Sequence, residues 1–151
     1  MSVKPSPGRV AFTGLLAALA IALSFLEALL PPLPLLPPGA KLGLSNLATM
    51  CAAQCLGLPS ALFLAVFKGL FALFTRGGMA GILSLSGGMC STVVLWLLLQ
   101  KTKASWGVVG VCGALTHNAA QLCAAYLLTS TSVLFYVPFL VLFGVLTGLL
   151  T

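Results

Sequence analysis

Long apolar runs separated by short breaks dominate the chain. Several of them hold about 20 consecutive, mostly apolar residues, which is the length that an α-helix needs to cross the hydrocarbon core of a bilayer. The pattern predicts an all-α integral membrane protein, a six-transmembrane-helix bundle in which residues 1–151 form a single domain. The predicted spans cover about Val10–Leu30, Lys41–Leu56, Ser60–Thr75, Met79–Gln100, Trp106–Leu128 and Val133–Thr151.

Helix-breaking residues set the boundaries between these runs. The Pro-rich segment Pro31–Gly39 cannot continue a helix, and because it is apolar we expect it either to cover the outer mouth of the bundle or to act as a stiff connector. The second and third spans are short and joined by Gly57, Leu58 and Pro59. They are therefore predicted to pack as an antiparallel hairpin.

Composition supports the membrane assignment. Hydrophobic residues make up 60% of the chain and charged residues 5%, whereas a soluble domain carries roughly 25% charged residues to cover its surface. The net charge is +6, but the cations are scattered at helix ends and form no basic cluster, so no nucleic-acid partner is predicted. The lipid bilayer is the expected surrounding.

The positions of Lys and Arg predict the orientation, since cytoplasmic loops carry the excess of these residues. If the N-terminus is inside, four cations lie in the cytoplasm: Lys4, Arg9, Lys101 and Lys103. Lys41 and Arg76 then lie outside, and Lys68 lies within the membrane. We expect a multi-pass protein of the cell membrane with both termini cytoplasmic.

Several chemistries are excluded by the absence of their residues. The chain has no P-loop motif and no G-x-S-x-G motif. Its single acid, Glu27, rules out paired catalytic carboxylates and a carboxylate-bound Mg²⁺ site. Cys51 and Cys55 have a spacing that could share a soft metal, but cysteine is also a good small apolar residue in lipid. We predict no catalytic residue, no cofactor and no metal, which leaves binding, transport or assembly.

Polar residues inside the predicted spans are the candidate binding groups, because polar groups in a membrane are costly and usually line a cavity or pair with one another. His117, Asn118 and Gln121 are spaced to share one helix face, and Lys68 reaches a similar depth. The alternative is that these groups only form interhelical hydrogen bonds and that Lys68 snorkels to an interface. The candidate substrate-binding residues are Glu27, Lys41, Asn46, Lys68, His117, Asn118 and Gln121.

The charges at the outer half of the bundle indicate what kind of ligand such a cavity would take. Lys41, Lys68 and Arg76 outnumber the single carboxylate of Glu27. A buried ammonium without a partner costs several kcal/mol in effective terms, so Lys68 must pair with Glu27, lose its proton or meet an anionic ligand. We therefore expect a ligand with negative or electron-rich character.

A stripe of small residues runs along the first span. Gly14, Ala18 and Ala22 are four residues apart, which creates a smooth face that another helix can approach closely. From the residues alone, this face could pack inside the bundle or dock a partner membrane protein.

Three blocks of the sequence resemble the Gx transporter family, which is also labelled heptaprenyl diphosphate synthase component I. They are Leu26-Glu27 followed by the Pro-rich stretch and Pro38–Asn46, then Ser84–Gly88, and Gly113–Leu122. That family is similar to the substrate-binding S components of energy-coupling factor (ECF) transporters, which have six helices and cytoplasmic termini.

The resemblance implies that the chain binds a small molecule, such as a vitamin or cofactor precursor, for uptake with a transmembrane coupling protein and ATPase subunits. It also implies that Gly14, Ala18 and Ala22 dock the coupling protein and that Pro31–Gly39 covers the substrate. The synthase label fits poorly, because prenyl synthases depend on aspartate-rich motifs and this chain has no aspartate. The alternative function is a non-transporting membrane subunit that assembles with isoprenoid, quinone or flavin-linked electron-transfer proteins.

Overall fold

The computed structural model describes residues 6–29, 43–129 and 135–150, and these residues form six α-helices with no strand among them. The helices are α1 (Pro7–Leu29), α2 (Asn46–Cys55), α3 (Leu58–Arg76), α4 (Gly78–Lys101), α5 (Trp106–Thr129) and α6 (Val137–Leu150). The predicted all-α architecture is confirmed for this part of the chain.

Four of these helices, α1, α3, α4 and α5, are long and apolar enough to cross a bilayer. The protein is therefore a multi-pass membrane protein. The other two helices are shorter, with 10 residues in α2 and 14 in α6.

The beginnings of α2 and α6 differ from the sequence prediction. A helix was expected from Lys41, which lies outside the described residues, but the helix begins only at Asn46, after a turn in which Asn46 N donates to Gly43 O over 2.8 Å. The last helix begins at Val137, and Val133, its predicted start, also lies outside the described residues. The expected covering segment Pro31–Gly39 lies outside the description as well.

Single glycines make two of the connections possible. Gly57 links α2 to α3 with a φ of 87°, and Gly77 alone separates α3 from α4 with a φ of 90° and a ψ of 175°. This backbone region is essentially restricted to glycine, because a side chain at positive φ would clash with the backbone. The two glycines thereby allow reversals of direction with almost no loop.

The short helix α2 lies at the centre of the bundle. It contacts α1, α3, α4 and α5, whereas α1 contacts only α2 and α3 among the described helices. The helices α3, α4, α5 and α6 pack as successive neighbours. Its polar residues Asn46 and Thr49 are accordingly buried within the bundle.

Small side chains let these helices pack closely. Ala52, Ala53 and Ala61 are fully buried between α1, α2 and α3. At the α5–α6 contact, a Cβ on Gly148 would overlap the backbone of Val111. Close approach of backbones through small residues is the usual basis of helix association in lipid, where burial of apolar surface supplies little driving force.

The connection at Gly77 can be tested by substitution. Gly77→Ala is expected to lower the free energy of unfolding by about 1–3 kcal/mol, because alanine is strained at this positive φ. The measurement is reversible unfolding of the purified protein in detergent. Gly78→Ala is the control, since Gly78 is already helical and a Cβ at either position would meet no atom within 4 Å. Equal effects of the two substitutions would contradict the backbone argument.

Candidate functional site

Lys68 is the most deeply buried charged side chain among the described residues. It lies on α3 with 2% of its surface exposed, and its Nζ donates a hydrogen bond of 2.9 Å to Oδ1 of Asn46. Asn46 is the first residue of α2 and is itself buried. The ammonium therefore points into the bundle and does not snorkel to an interface.

The start of α2 lies at about half the depth of the bundle. Arg9, at the beginning of α1, donates to the carbonyl of Leu56 at the end of α2, so these two ends share one face of the bundle. From there α2 rises for 10 residues, which is about 15 Å, or half of the roughly 30 Å hydrocarbon core. The turn of residues 43–45 that precedes it is thus non-helical backbone near the middle of the bundle. Such backbone is tolerated at membrane depth only inside protein or beside a cavity.

His117 and Gln121 face this turn from α5. Both are buried, and Gln121 Nε2 lies 2.8 Å from His117 Nε2. Their packing depends on Gly87 of α4, where a Cβ would approach the His117 ring to within 2.9–3.0 Å. The other amide atom of Gln121, and Nδ2 of Asn46, are buried without a hydrogen-bond partner in the described part of the chain. The cluster thus holds polar atoms that are free to bind something else.

Glu27 joins the cluster from the end of α1. Its side chain is 7% exposed, and its Oε1 accepts a hydrogen bond from the backbone N–H of Leu44 in the central turn. The carboxylate also interacts electrostatically with Lys68 and with Arg76 at the end of α3. The sole acid of the chain therefore faces two cations.

A small polar cavity lies between these groups. Its volume is about 10 Å³, which is enough for roughly one water molecule. A ligand could enter this cluster only after a rearrangement of the groups around it. The cavity is lined by Ser24, Glu27, Gly43, Ser45, Lys68, Arg76, Ser84, His117 and Gln121.

The structure brings together five of the predicted binding residues: Glu27, Asn46, Lys68, His117 and Gln121. Asn118 is not among them, since its Nδ2 donates to the carbonyl of Leu140 on α6 over 2.8 Å. Lys41 lies outside the described residues.

Five lining residues were absent from the predicted site: Ser24, Gly43, Ser45, Arg76 and Ser84. Ser24 precedes Glu27 by three residues, so helical spacing could have identified it. The sequence places Arg76 among the cations of the outer half of the bundle, but it gives no sign that this side chain lines the cavity. Ser84 required knowledge of how α4 packs against α3 and α5.

Comparison with known proteins identifies the family. The profile described as heptaprenyl diphosphate synthase component I matches residues 16–151. The chain belongs to this family. No curated protein and no solved structure matches it. This match confirms the family label named from the sequence blocks. The matched range includes every residue that lines the polar cavity.

The small-residue stripe of this family member lies on the outside of the bundle. Gly14, Ala18 and Ala22 are exposed, and a Cβ on Gly14 would meet nothing within 4 Å. The buried face of α1 is formed instead by other residues, including Leu16, Ala20 and Glu27. The stripe therefore does not pack internally against any of the described residues.

An open groove adjoins one end of the stripe. Its volume is about 560 Å³, and it is lined by Gly14 and Arg9 of α1 and by residues around the α2–α3 turn, among them Phe63. The groove and the stripe together make a continuous surface along α1.

The described residues contain no group of three or more His, Cys, Asp or Glu side chains that could hold a metal ion. Cys51 and Cys55 are free thiols, as are the other three cysteines. The polar cluster is the chemically distinctive feature of the described chain.

The hydrogen bond between Lys68 and Asn46 predicts a specific pattern of stability. Asn46→Leu should lower the free energy of unfolding by about 1.5–3 kcal/mol, because it leaves a buried ammonium without its acceptor. Most of this loss should disappear when Lys68→Met is introduced as well. Unfolding of the single and double variants in detergent gives the coupling energy.

The control for this cycle is Gln54→Leu, which removes an exposed amide from the same helix. It should have little effect alone and should show no coupling to Lys68→Met. If Asn46→Leu were as mild as Gln54→Leu, the ammonium would have another adequate partner.

Proposed function

We propose that this protein is the substrate-binding membrane subunit of an ECF-type uptake transporter, and that it is not an enzyme. The observation that carries the proposal is the buried cluster of Lys68, Glu27, His117 and Gln121 beside a helix, α2, that begins within the bundle. Polar and charged groups enclosed within a membrane bundle are costly, and in transporters they mark substrate and ion sites.

The non-helical turn of residues 43–45 before α2 supports the same interpretation. Transporter binding sites commonly lie near the membrane midplane and are formed by discontinuous helices, whose free backbone groups face the substrate. Gly43 of this turn lines both the polar cavity and a second small cavity, which Asn46 lines as well. Movement of this turn would join the two spaces. The proposed substrate is a small molecule, such as a vitamin or cofactor precursor, which would enter after such a movement.

The proposed topology has six membrane crossings and both termini in the cytoplasm. Arg9 and Lys101 then lie on the cytoplasmic side, as the excess of cations in cytoplasmic segments requires. In this arrangement α2 starts halfway across the membrane and the substrate enters from the outer face, where Glu27 and Arg76 lie.

A reporter fused to the C-terminus tests the topology. It should report a cytoplasmic location in the cell membrane, because six crossings return the chain to the side on which it began. An external location would require an odd number of crossings and would overturn this arrangement.

The surface of α1 is proposed to dock the energising partners. Its exposed stripe of Gly14, Ala18 and Ala22 presents little side-chain bulk, so another helix can approach the backbone closely. The adjoining groove at Arg9 and Phe63 extends this surface. A transmembrane coupling protein, with its ATPase subunits, is the partner that this arrangement would serve.

Copurification from the native membrane tests the function. We expect a coupling protein and ATPases to be recovered with the chain, and a small molecule to bind the isolated protein. The family description names a synthase component, which favours the second candidate, a non-transporting subunit of an isoprenoid, quinone or electron-transfer assembly. Recovery of those proteins alone, with no bound small molecule, would support the second candidate and contradict transport.

The docking surface can be tested separately. Ala18→Leu should abolish copurification of the partner while leaving the stability of the isolated protein unchanged, because the side chain at this position is exposed. Ala119→Leu is the matched control, since Ala119 is an exposed alanine on α5, away from the stripe. Loss of assembly in both variants, or in neither, would contradict docking through the stripe.

A further inference from the structure

We propose that the carboxylate of Glu27 is an internal counter-anion, and that the ligand of this site carries a carboxylate or phosphate group that replaces it between Lys68 and Arg76. The inference rests on the proposed binding function and adds the ligand's chemical class, the exchange step and a role for Arg76.

The argument begins with the charges around the polar cavity. Lys68, Arg76 and Glu27 all line it, and Glu27 interacts electrostatically with both cations. No other aspartate or glutamate exists in the chain. Within the described residues, two cations therefore share one carboxylate, and the cluster retains an excess positive charge that favours an anion.

The volume of the cavity limits how an anion could bind there. The cavity has a volume of about 10 Å³, which holds roughly one water molecule and no carboxylate or phosphate group. An anion placed beside Glu27 would also bring two negative groups together in a site poor in water, where like charges strongly disfavour each other. Both considerations favour replacement of the carboxylate over addition beside it.

The groups that bind Glu27 suit an incoming anion equally well. The backbone N–H of Leu44 donates to Oε1 of Glu27, and the same donor is available to a carboxylate or phosphate oxygen once Glu27 has moved. Asn46 Nδ2 is a further buried donor beside Lys68, without a partner in the described part of the chain. Charge-assisted hydrogen bonds of this kind are stronger than neutral ones.

A neutral ligand would behave differently. It would leave Glu27 between the two cations, and its affinity would be insensitive to the charge at position 27. The charge dependence of binding therefore separates exchange from simple occupancy.

The variant Glu27→Gln isolates the charge. Its amide oxygen can still accept from Leu44 N–H, but it no longer competes for Lys68 and Arg76. We expect inorganic phosphate to stabilise this variant at a concentration lower by about tenfold or more than the wild type needs, because removal of an internal negative charge favours an external one. Thermal unfolding of the purified full chain, titrated with phosphate against chloride at constant ionic strength, measures this shift.

Two further variants complete the test. Arg76→Gln should weaken phosphate binding by a similar factor, and it should fold, since Arg76 is only half-buried at the end of α3. Lys101→Gln, at the opposite end of the bundle, is the control and should bind phosphate as the wild type does. Unchanged affinity in Glu27→Gln, or in Arg76→Gln, would overturn the exchange.

The outcome is separable from that of the proposed transport function. Phosphate binding by the isolated chain needs no partner, so exchange could hold even if no coupling protein copurified. Conversely, if the partners were recovered and a neutral small molecule bound equally well to wild type and Glu27→Gln, transport would stand and the exchange would be wrong.

Discussion

The burial of one ammonium group constrains the whole arrangement of the bundle. Lys68 lies halfway along a membrane-spanning helix with 2% of its surface exposed, and a charge in such a place requires polar partners. Asn46 supplies the hydrogen bond, which requires α2 to begin beside α3. Glu27, at the end of α1, places a negative charge near Lys68, and Arg76, at the end of α3, places a second positive charge near Glu27. The positions of three helices are thereby tied to a single side chain.

The start of α2 at Asn46, within the bundle, follows from the same requirement. In a continuous helix from Lys41, the N–H of Leu44 would bond within the helix, and only the N–H groups of its first turn would remain free. Starting the helix at Asn46 frees the N–H of Leu44, which binds Glu27, and brings Gly43 against Asn46 and His117. The non-helical turn and the buried polar side chains therefore depend on each other. Soluble proteins rarely need this arrangement, because water can form hydrogen bonds with their polar groups.

Sequence reasoning recovered the parts of the fold that depend on composition and local pattern. The apolar runs predicted the helices, and polar residues in those runs identified Glu27, Asn46, Lys68, His117 and Gln121, which do lie together. It failed where tertiary packing decides. The turn of Asn118 towards Leu140 and the contribution of Ser84 depend on which helices become neighbours, and the residues alone left the direction of Ala18 open. Periodicity fixes a residue's helix face but not the partner of that face.

The limited contacts of α1 have a consequence for biosynthesis. Among the described helices, α1 packs only on α2 and α3, both of which leave the ribosome after it. Until they insert, α1 must reside in lipid as a solitary span, with its acidic side chain lacking the cations that α3 later supplies. Because its sequence is mostly apolar, α1 can remain in the bilayer as a single span until then. The arrival of α3 would then neutralise Glu27 and convert a loosely held hydrophobic segment into a fixed member of the bundle.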